Sequence, residues 1–300
     1  MKTLFNIFSL IFRHPLNRGR RFRSLLRFLR WQIGSRLVPG AVAAPFVDDT
    51  RLLVLPGMTG ATGSIYHGLH EFEDMGLVLH ALRPGDLFVD IGSNVGSYTI
   101  LAAGACGARV LAIEPNPATF VHLNDNVRLN DLEHLVQTRN VAAGAATGVL
   151  EFSTDLDVLN HVISETDPAE LPRTQVPVET LDSLLAGEAA FLIKIDTEGY
   201  ETEVIGGALG TLSNPALVAV VMEMNESGER YGFDENKLHR LMLENGFRPF
   251  RYDPIDRAIT PLEIEKKNLL AGNTLYVRDL EGLTARVRSA PRHSVNGVSL

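Results

Sequence analysis

The chain has 300 residues, 45% of them hydrophobic and 21% charged, which is the composition of a globular protein with a sizeable core rather than a disordered or fibrous chain. A single cysteine, Cys106, excludes an intrachain disulfide and a cysteine-built metal site, and fits a reducing, cytoplasmic setting. The net charge of −8 is unevenly spread: no acid precedes Asp48 but nine bases do, which leaves −17 on the remainder, and so acidic a body excludes a polyanion such as nucleic acid as the expected partner.

At the start, Leu4 to Phe12 ("LFNIFSLIF") follows Lys2 and is apolar enough for the centre of a signal peptide. "RHPLNRGRRFR" stands where a small-residue cleavage site would be, and the run is far short of the ~20 residues that span a bilayer. In "RFRSLLRFLRWQI" a helix would align Phe22, Leu25, Leu26, Leu29 and Ile33 in one stripe and gather Arg20, Arg23, Arg27 and Arg30 elsewhere. Two readings follow. Either residues 1–37 lie on an anionic membrane surface, or the stripe docks on the protein's own domain with the arginines solvated. The Gly-, Pro- and Ala-rich stretch over 34–50 reads as a linker. Residues 1–47 are thus expected to form a basic arm, 48–285 a catalytic domain and 286–300 a flexible tail.

After a short strand "RLLVLP", the glycines of "GMTGATGSIYHG" predict a loop, with Tyr66, His67 and His70 as candidates for a substrate lid. "FEDMGLVLHALRPGD" predicts a helix that stops at Pro84-Gly85. From there strands ("DLFVDIG", "ARVLAIEP", "VQTRNVAAG", "FLIKIDTEG", "ALVAVVMEMN") alternate with helices, and "GVLEFSTD" and "TQVPVE" add strands around a polar insert. Runs such as Leu217 to Val221 are apolar without alternation, as in strands covered on both faces. The pattern predicts an α/β, Rossmann-like, doubly wound and mostly parallel sheet.

In such a sheet ligands bind beyond the carboxyl ends of the strands. "FVDIGSNVGSYT" ends a strand on Asp90 and turns at Gly92, which would let the backbone approach a ligand closely, while Gly96 would admit close packing of the following helix. Glu114 ends the next strand, where an acid can accept both hydroxyls of a ribose. A dinucleotide site prefers G-x-G-x-x-G, but Asn94 and Ser97 stand at its second and third glycines. D-x-G-x-x-x-G with Glu114 suits S-adenosylmethionine (SAM), which has no phosphate to cradle.

"LRPGDLFVDIGSNVGSYTILAA", "VLAIEPNPATFVHLNDNVRLN", "VPVETLDSLL" and "FLIKIDTEGYETEVIGGA", in this order over roughly residues 80 to 226, resemble the FkbM-type SAM-dependent methyltransferases. The resemblance implies a class I methyltransferase fold with a seven-stranded sheet, and O-methylation of hydroxyls on sugars or polyketide-like natural products. It carries Asp90, Gly92, Asn94 and Gly96 to the methionine side of SAM, Glu114 to the ribose, and Pro115 and Asn116 to the adenosine side. Ser93, where the family commonly has alanine, Asn140 and Val141 complete the expected cofactor contacts. Asp196 and Glu198 match the family's "KID-EG" signature.

Methyl transfer needs the acceptor oxygen, the methyl carbon and the sulfur held in line, and a base to take the hydroxyl proton. Asp196 and Glu198 past the fourth strand and Glu223 at the end of the next are the expected catalytic acids. Asp196 could instead cap the helix that opens at "DTEGYE". These three with Asn225 could hold Mg²⁺, although no tight acidic cluster shows and no metal is expected. His161, in the polar insert, is a further candidate base with a pKa suited to neutral pH. Two other classes remain: a nicotinamide-dependent oxidoreductase on the same fold, and a non-catalytic scaffold held at a membrane by the arm.

Overall fold

The computed structural model describes residues 11–37, 39–154, 159–263 and 272–300; Lys2, most of the apolar run from Leu4 and residues 155–158 of the polar insert lie outside them. Arg21–Leu37 forms helix α1. Val42–Pro45 (β1) and Arg51–Val54 (β2) pair as an antiparallel hairpin. The expected linker is therefore the end of a helix followed by a strand, because Ala44, Phe46 and Val47 are apolar enough to be buried. Thr59–His67 is helix α2, not a loop. A Cβ on its Gly63 would lie 3.0 Å from His70 Cβ, so this glycine serves close packing rather than a turn.

Helix α3 (Phe72–Ala81) ends in a fully buried run from Met75 and leads into the sheet. Its strands are β3 (Leu87–Ile91), β4 (Arg109–Ile113), β5 (Val136–Arg139), β9 (Leu192–Ile195), β10 (Ala219–Met224), β11 (Arg248–Asp253), β12 (Ala258–Pro261) and β13 (Gly272–Val277). Between them come α4 (Ser97–Ile100, continued by a π-turn over Leu101–Ala105), α5 (Pro117–Leu129), α6 (Leu181–Leu185), α7 (Glu201–Gly206), α8 (Leu209–Ser213) and α9 (Glu235–Glu244). The strand order is β12-β11-β13-β10-β9-β3-β4-β5. Strands β3, β4, β5, β9 and β10 run parallel, while β13 is antiparallel to both of its neighbours. The sheet thus has eight strands rather than the expected seven. The addition is β12, an edge strand too short and too exposed to announce itself by alternation.

Two apolar layers cover the sheet. One joins Phe88, Val110, Val221 and Leu275 to α3, α4 and the N-terminal segments; the other joins Val89, Leu111, Ile193 and Val220 to α6–α9. A separate three-stranded sheet, Ala142–Ala143 (β6), Gly148–Ser153 (β7) and Arg173–Glu179 (β8), carries the polar insert.

Two expectations about the chain ends change. Leu280–Arg288 is helix α10, and beyond it Ser294–Val295 (β14) and Val298–Ser299 (β15) form a hairpin. Val295 is fully buried and bridges to Val47, and the Arg257 guanidinium donates to the carbonyls of Ala290 and Pro291. The segment expected to be a flexible tail is therefore pinned to the domain; a hairpin this short shows no periodicity in sequence. At the other end, α1 does dock on its own domain, but by the face of Ser24, Phe28 and Trp31 and not by the expected stripe. The Phe28 ring packs 5.1 Å from Tyr66, and Gln32 donates to the Tyr66 hydroxyl at 2.8 Å. No helix among the described residues is long and apolar enough to cross a membrane.

Candidate active site

One cavity opens at the carboxyl ends of the central strands, and it has two halves. The first is built by the turn after β3. Gly92 and Gly96 have φ of +75° and +90°, and Asn94 between them also sits in the left-handed region at 51°. The reason Gly92 must be glycine is its neighbour: a Cβ there would lie 1.8 Å from the carbonyl oxygen of Asp196, because Ile91 pairs with Ile195 and the two strand ends emerge side by side. The close approach is thus to the end of β9. At Gly96 a Cβ would meet Leu123 of α5 at 2.6 Å.

Glu114 braces this turn. Its carboxylate accepts from the Asn94 N–H and the Asn116 N–H, both at 2.9 Å, and burial pushes its pKa up to about 7 against those hydrogen bonds. Asp90 is wholly buried; burial raises its pKa to about 6, and its Oδ2 accepts from the Thr99 hydroxyl at 2.6 Å. Asp90 Oδ1 and the Ser93 hydroxyl are buried polar atoms without a protein partner. Such atoms are rare in a finished core, and a polar ligand would complete them.

The second half gathers charge. By register Met222 lies beside Ile195, so Glu223 and Asp196 leave adjacent strands together. Glu198 is held in the left-handed region at φ 55°, followed by Gly199 at 103°. This costly backbone persists because Gly199 is wedged against Ser227, where a Cβ would come within 2.6 Å. The result brings carboxylate oxygens of Asp196, Glu198 and Glu223 within 4.8 Å of one another, a tight cluster that the sequence does not display. Burial and then the repulsion of Asp196 and Glu201 push Glu198 up to about 7; burial and then Asp196 and Glu198 push Glu223 up to about 9. Groups this close can share a proton, act as a base near neutrality, or together ligate one oxygen-preferring cation.

Lys194 organises this half and was not foreseen. It is 3% exposed, donates to Asp196 Oδ2 at 2.7 Å, and lies 4.7 Å from the centroid of the Tyr98 ring. Burial opposes its charge, yet the carboxylates of Asp196, Glu71 and Asp90 together raise its pKa. Glu71 is held below the usual carboxylate range by Lys194 and His70 despite burial. Asn273 joins Glu71 to Asp74, whose pKa burial raises to about 7. The signal was available: a lysine inside the apolar run Phe191 to Ile195 of a central strand must find carboxylate partners.

The expected residues divide accordingly. Asp90, Gly92, Ser93, Asn94, Glu114 and Pro115 line the cavity, as do Asp196, Glu198 and Glu223. Gly96, Asn116, Asn140, Val141 and His161 are not among its lining residues. Asn116 caps α5, accepting from the Ala118 and Thr119 N–H groups. Asn140 donates to the carbonyls of Glu114 and Pro115, so it braces the loop, and Ala142 and Ala143 supply the wall instead of Val141. His161 has both ring nitrogens engaged, with the Leu159 carbonyl at 2.8 Å and Asp167 at 3.1 Å, and holds the insert together while Asn160 and Val162 face the cavity. Asn225 accepts from the Ser227 N–H and shapes the turn. Of the lid candidates, His70 lines the cavity; Tyr66 and His67 pack against the N-terminal segment, with His67 stacked 4.8 Å from His14.

Residues 90–249 match the model of the methyltransferase FkbM domain. The chain is 28% identical over 178 residues to the hexuronic acid methyltransferase AglP of Haloferax volcanii, covering 58% of this chain and 68% of that one. It is 27% identical over 176 residues to the 31-O-demethyl-FK506 methyltransferase FkbM of Streptomyces tacrolimicus, covering 48% of this chain and 67% of that one. A crystal structure of methyltransferase FkbM from Methylobacillus flagellatus KT superposes with a TM-score of 0.45 at 18% identity, covering 73% of this chain and 52% of that one, so the present chain spans about half of that protein's length. The domain match takes in more than half of the 300 residues, and the chain belongs to the FkbM methyltransferases.

Proposed function

We propose that the protein is a cytoplasmic SAM-dependent O-methyltransferase whose acceptor is a hydroxyl on a sugar, glycan or related natural product. The observation that carries this reading is the cluster of Asp196, Glu198 and Glu223 facing the braced glycine turn across one cavity. When bound, SAM supplies an electrophilic methyl group on a sulfonium. The open Asp90 Oδ1 and Ser93 hydroxyl would hold its polar groups, and Glu114 keeps acceptor capacity for a ribose beyond its two backbone bonds. Glu198, with a pKa of about 7, takes the acceptor proton; Glu223, neutral at that pH, donates to the acceptor oxygen; Lys194 positions Asp196 beside them. A group that is about half ionised at the working pH is well matched to general-base duty. The resemblance to a hexuronic acid methyltransferase supports a sugar as the acceptor class.

The test is incubation with methyl-labelled SAM and a panel of hexuronic acids, neutral sugars and polyketide alcohols, with a parallel titration of SAM onto Glu114→Ala protein. Label in a sugar methyl ether, and SAM affinity weakened about tenfold by loss of a charge-assisted hydrogen bond, are expected. Unchanged affinity in folded Glu114→Ala protein would overturn the cofactor placement. Label confined to nitrogen or to protein would overturn the acceptor class.

A further inference from the structure

We propose that the outward face of α1 is a docking surface for an anionic lipid bilayer. The helix has two apolar faces, and among the described residues only one is buried against the domain. Phe28 and Trp31 are buried against the domain, while Phe22, Leu26, Leu29, Ile33 and Leu37 are 72%, 38%, 42%, 58% and 75% exposed. Spacings of three and four place these five in a single stripe, and at 100° per residue its centre lies opposite Ser24 and Trp31. The exposed set keeps Phe22, Leu26, Leu29 and Ile33 of the stripe expected from sequence, while Leu25 turns partly inward and Leu37 joins the outer row.

Charge identifies the occupant. Arg23 and Arg30 flank the stripe on one side, Arg21 and Arg36 on the other. Among the described residues no ion pair joins any of these arginines to an acid, and no acid precedes Asp48. A second copy of the chain laid stripe to stripe would bring like-charged rows together without compensation. A bilayer surface answers both features: large side chains enter the headgroup–acyl boundary and guanidinium groups meet lipid phosphates. The docked helix would stand one element from the cavity, because α1 rests on α2 and α2 contributes Gly60 and Ala61 to the cavity wall. This inference is independent of the reaction assigned to that cavity.

The test is co-sedimentation of the full chain with vesicles of mixed phosphatidylglycerol and phosphatidylcholine, and with vesicles of phosphatidylcholine alone. Binding to the anionic vesicles is expected, weakened by salt because screening shortens the reach of the charges. The double substitution Phe22→Glu with Ile33→Glu should lower that binding at least tenfold while leaving the melting temperature in place, since both residues are more than half exposed. Equal binding of the two proteins, equal binding to neutral vesicles, or no binding at all would overturn the proposal. So would a dimer in analytical ultracentrifugation that the double variant dissociates while wild-type protein ignores the vesicles.

Discussion

The glycine turn after β3 and the acid cluster beyond β9 and β10 line one cavity, but different forces hold them. The turn is a backbone structure: its shape follows from positive φ at Gly92, Asn94 and Gly96 and from two N–H groups donated to Glu114. The cluster is a balance of charges: three carboxylates crowd together against their mutual repulsion, beside one buried ammonium. Backbone geometry gives a wall of fixed shape, as the proposed cofactor site requires. Crowded carboxylates give groups whose protonation can change near neutral pH, which is what proton transfer from an acceptor requires.

The contrast can be broken most severely at Lys194. Lys194→Met leaves Asp196 beside other acids without its cation, and losing one partner of a buried pair costs about 3–5 kcal/mol. A large drop in melting temperature is expected, partly recovered in a Lys194→Met, Asp196→Asn double variant. A single variant as stable as wild type would mean that the ammonium does not hold the cluster.

A smaller effect sharpens the contrast through pH. Glu198 and Glu223 have pKa values of about 7 and about 9, against 4.5 for an unperturbed glutamate. The fold therefore favours their protonated forms. Their contribution to stability is fully present below the unfolded value and is lost as pH rises through the two folded values. The melting temperature of cofactor-free protein should fall from about pH 5 to about pH 9, and Glu223→Gln should flatten the upper part of that decline. A flat profile in wild-type protein would show that the cluster carries no strained charge.

The same contrast explains what the sequence made legible. The glycine turn and Glu114 lie in two short contiguous motifs, so they could be read directly. The acid cluster joins Asp196, Glu198 and Glu223 through strand pairing and through a left-handed residue whose neighbour is wedged against Ser227. Neither fact has a local signature. His161 misled for the opposite reason: its position in the insert suggested the cavity, but Leu159 and Asp167 claim both of its nitrogens. On α1 the period was legible and the direction was not. A helix with apolar residues on two opposite faces does not say which one the domain will bury, and here the face of Phe28 and Trp31 was taken.

The most direct measurement of the central claim is the pH–rate profile of methyl transfer in wild-type and Glu198→Gln protein, with SAM affinity measured alongside. The amide keeps the shape of the side chain but cannot take a proton. Wild-type turnover should rise through a limb near pH 7, as Glu198 loses its proton. In Glu198→Gln that limb should vanish and turnover should fall about 10²–10⁴-fold, with SAM affinity unchanged. Full turnover in the variant, with the limb intact, would contradict the account and place the base outside Glu198.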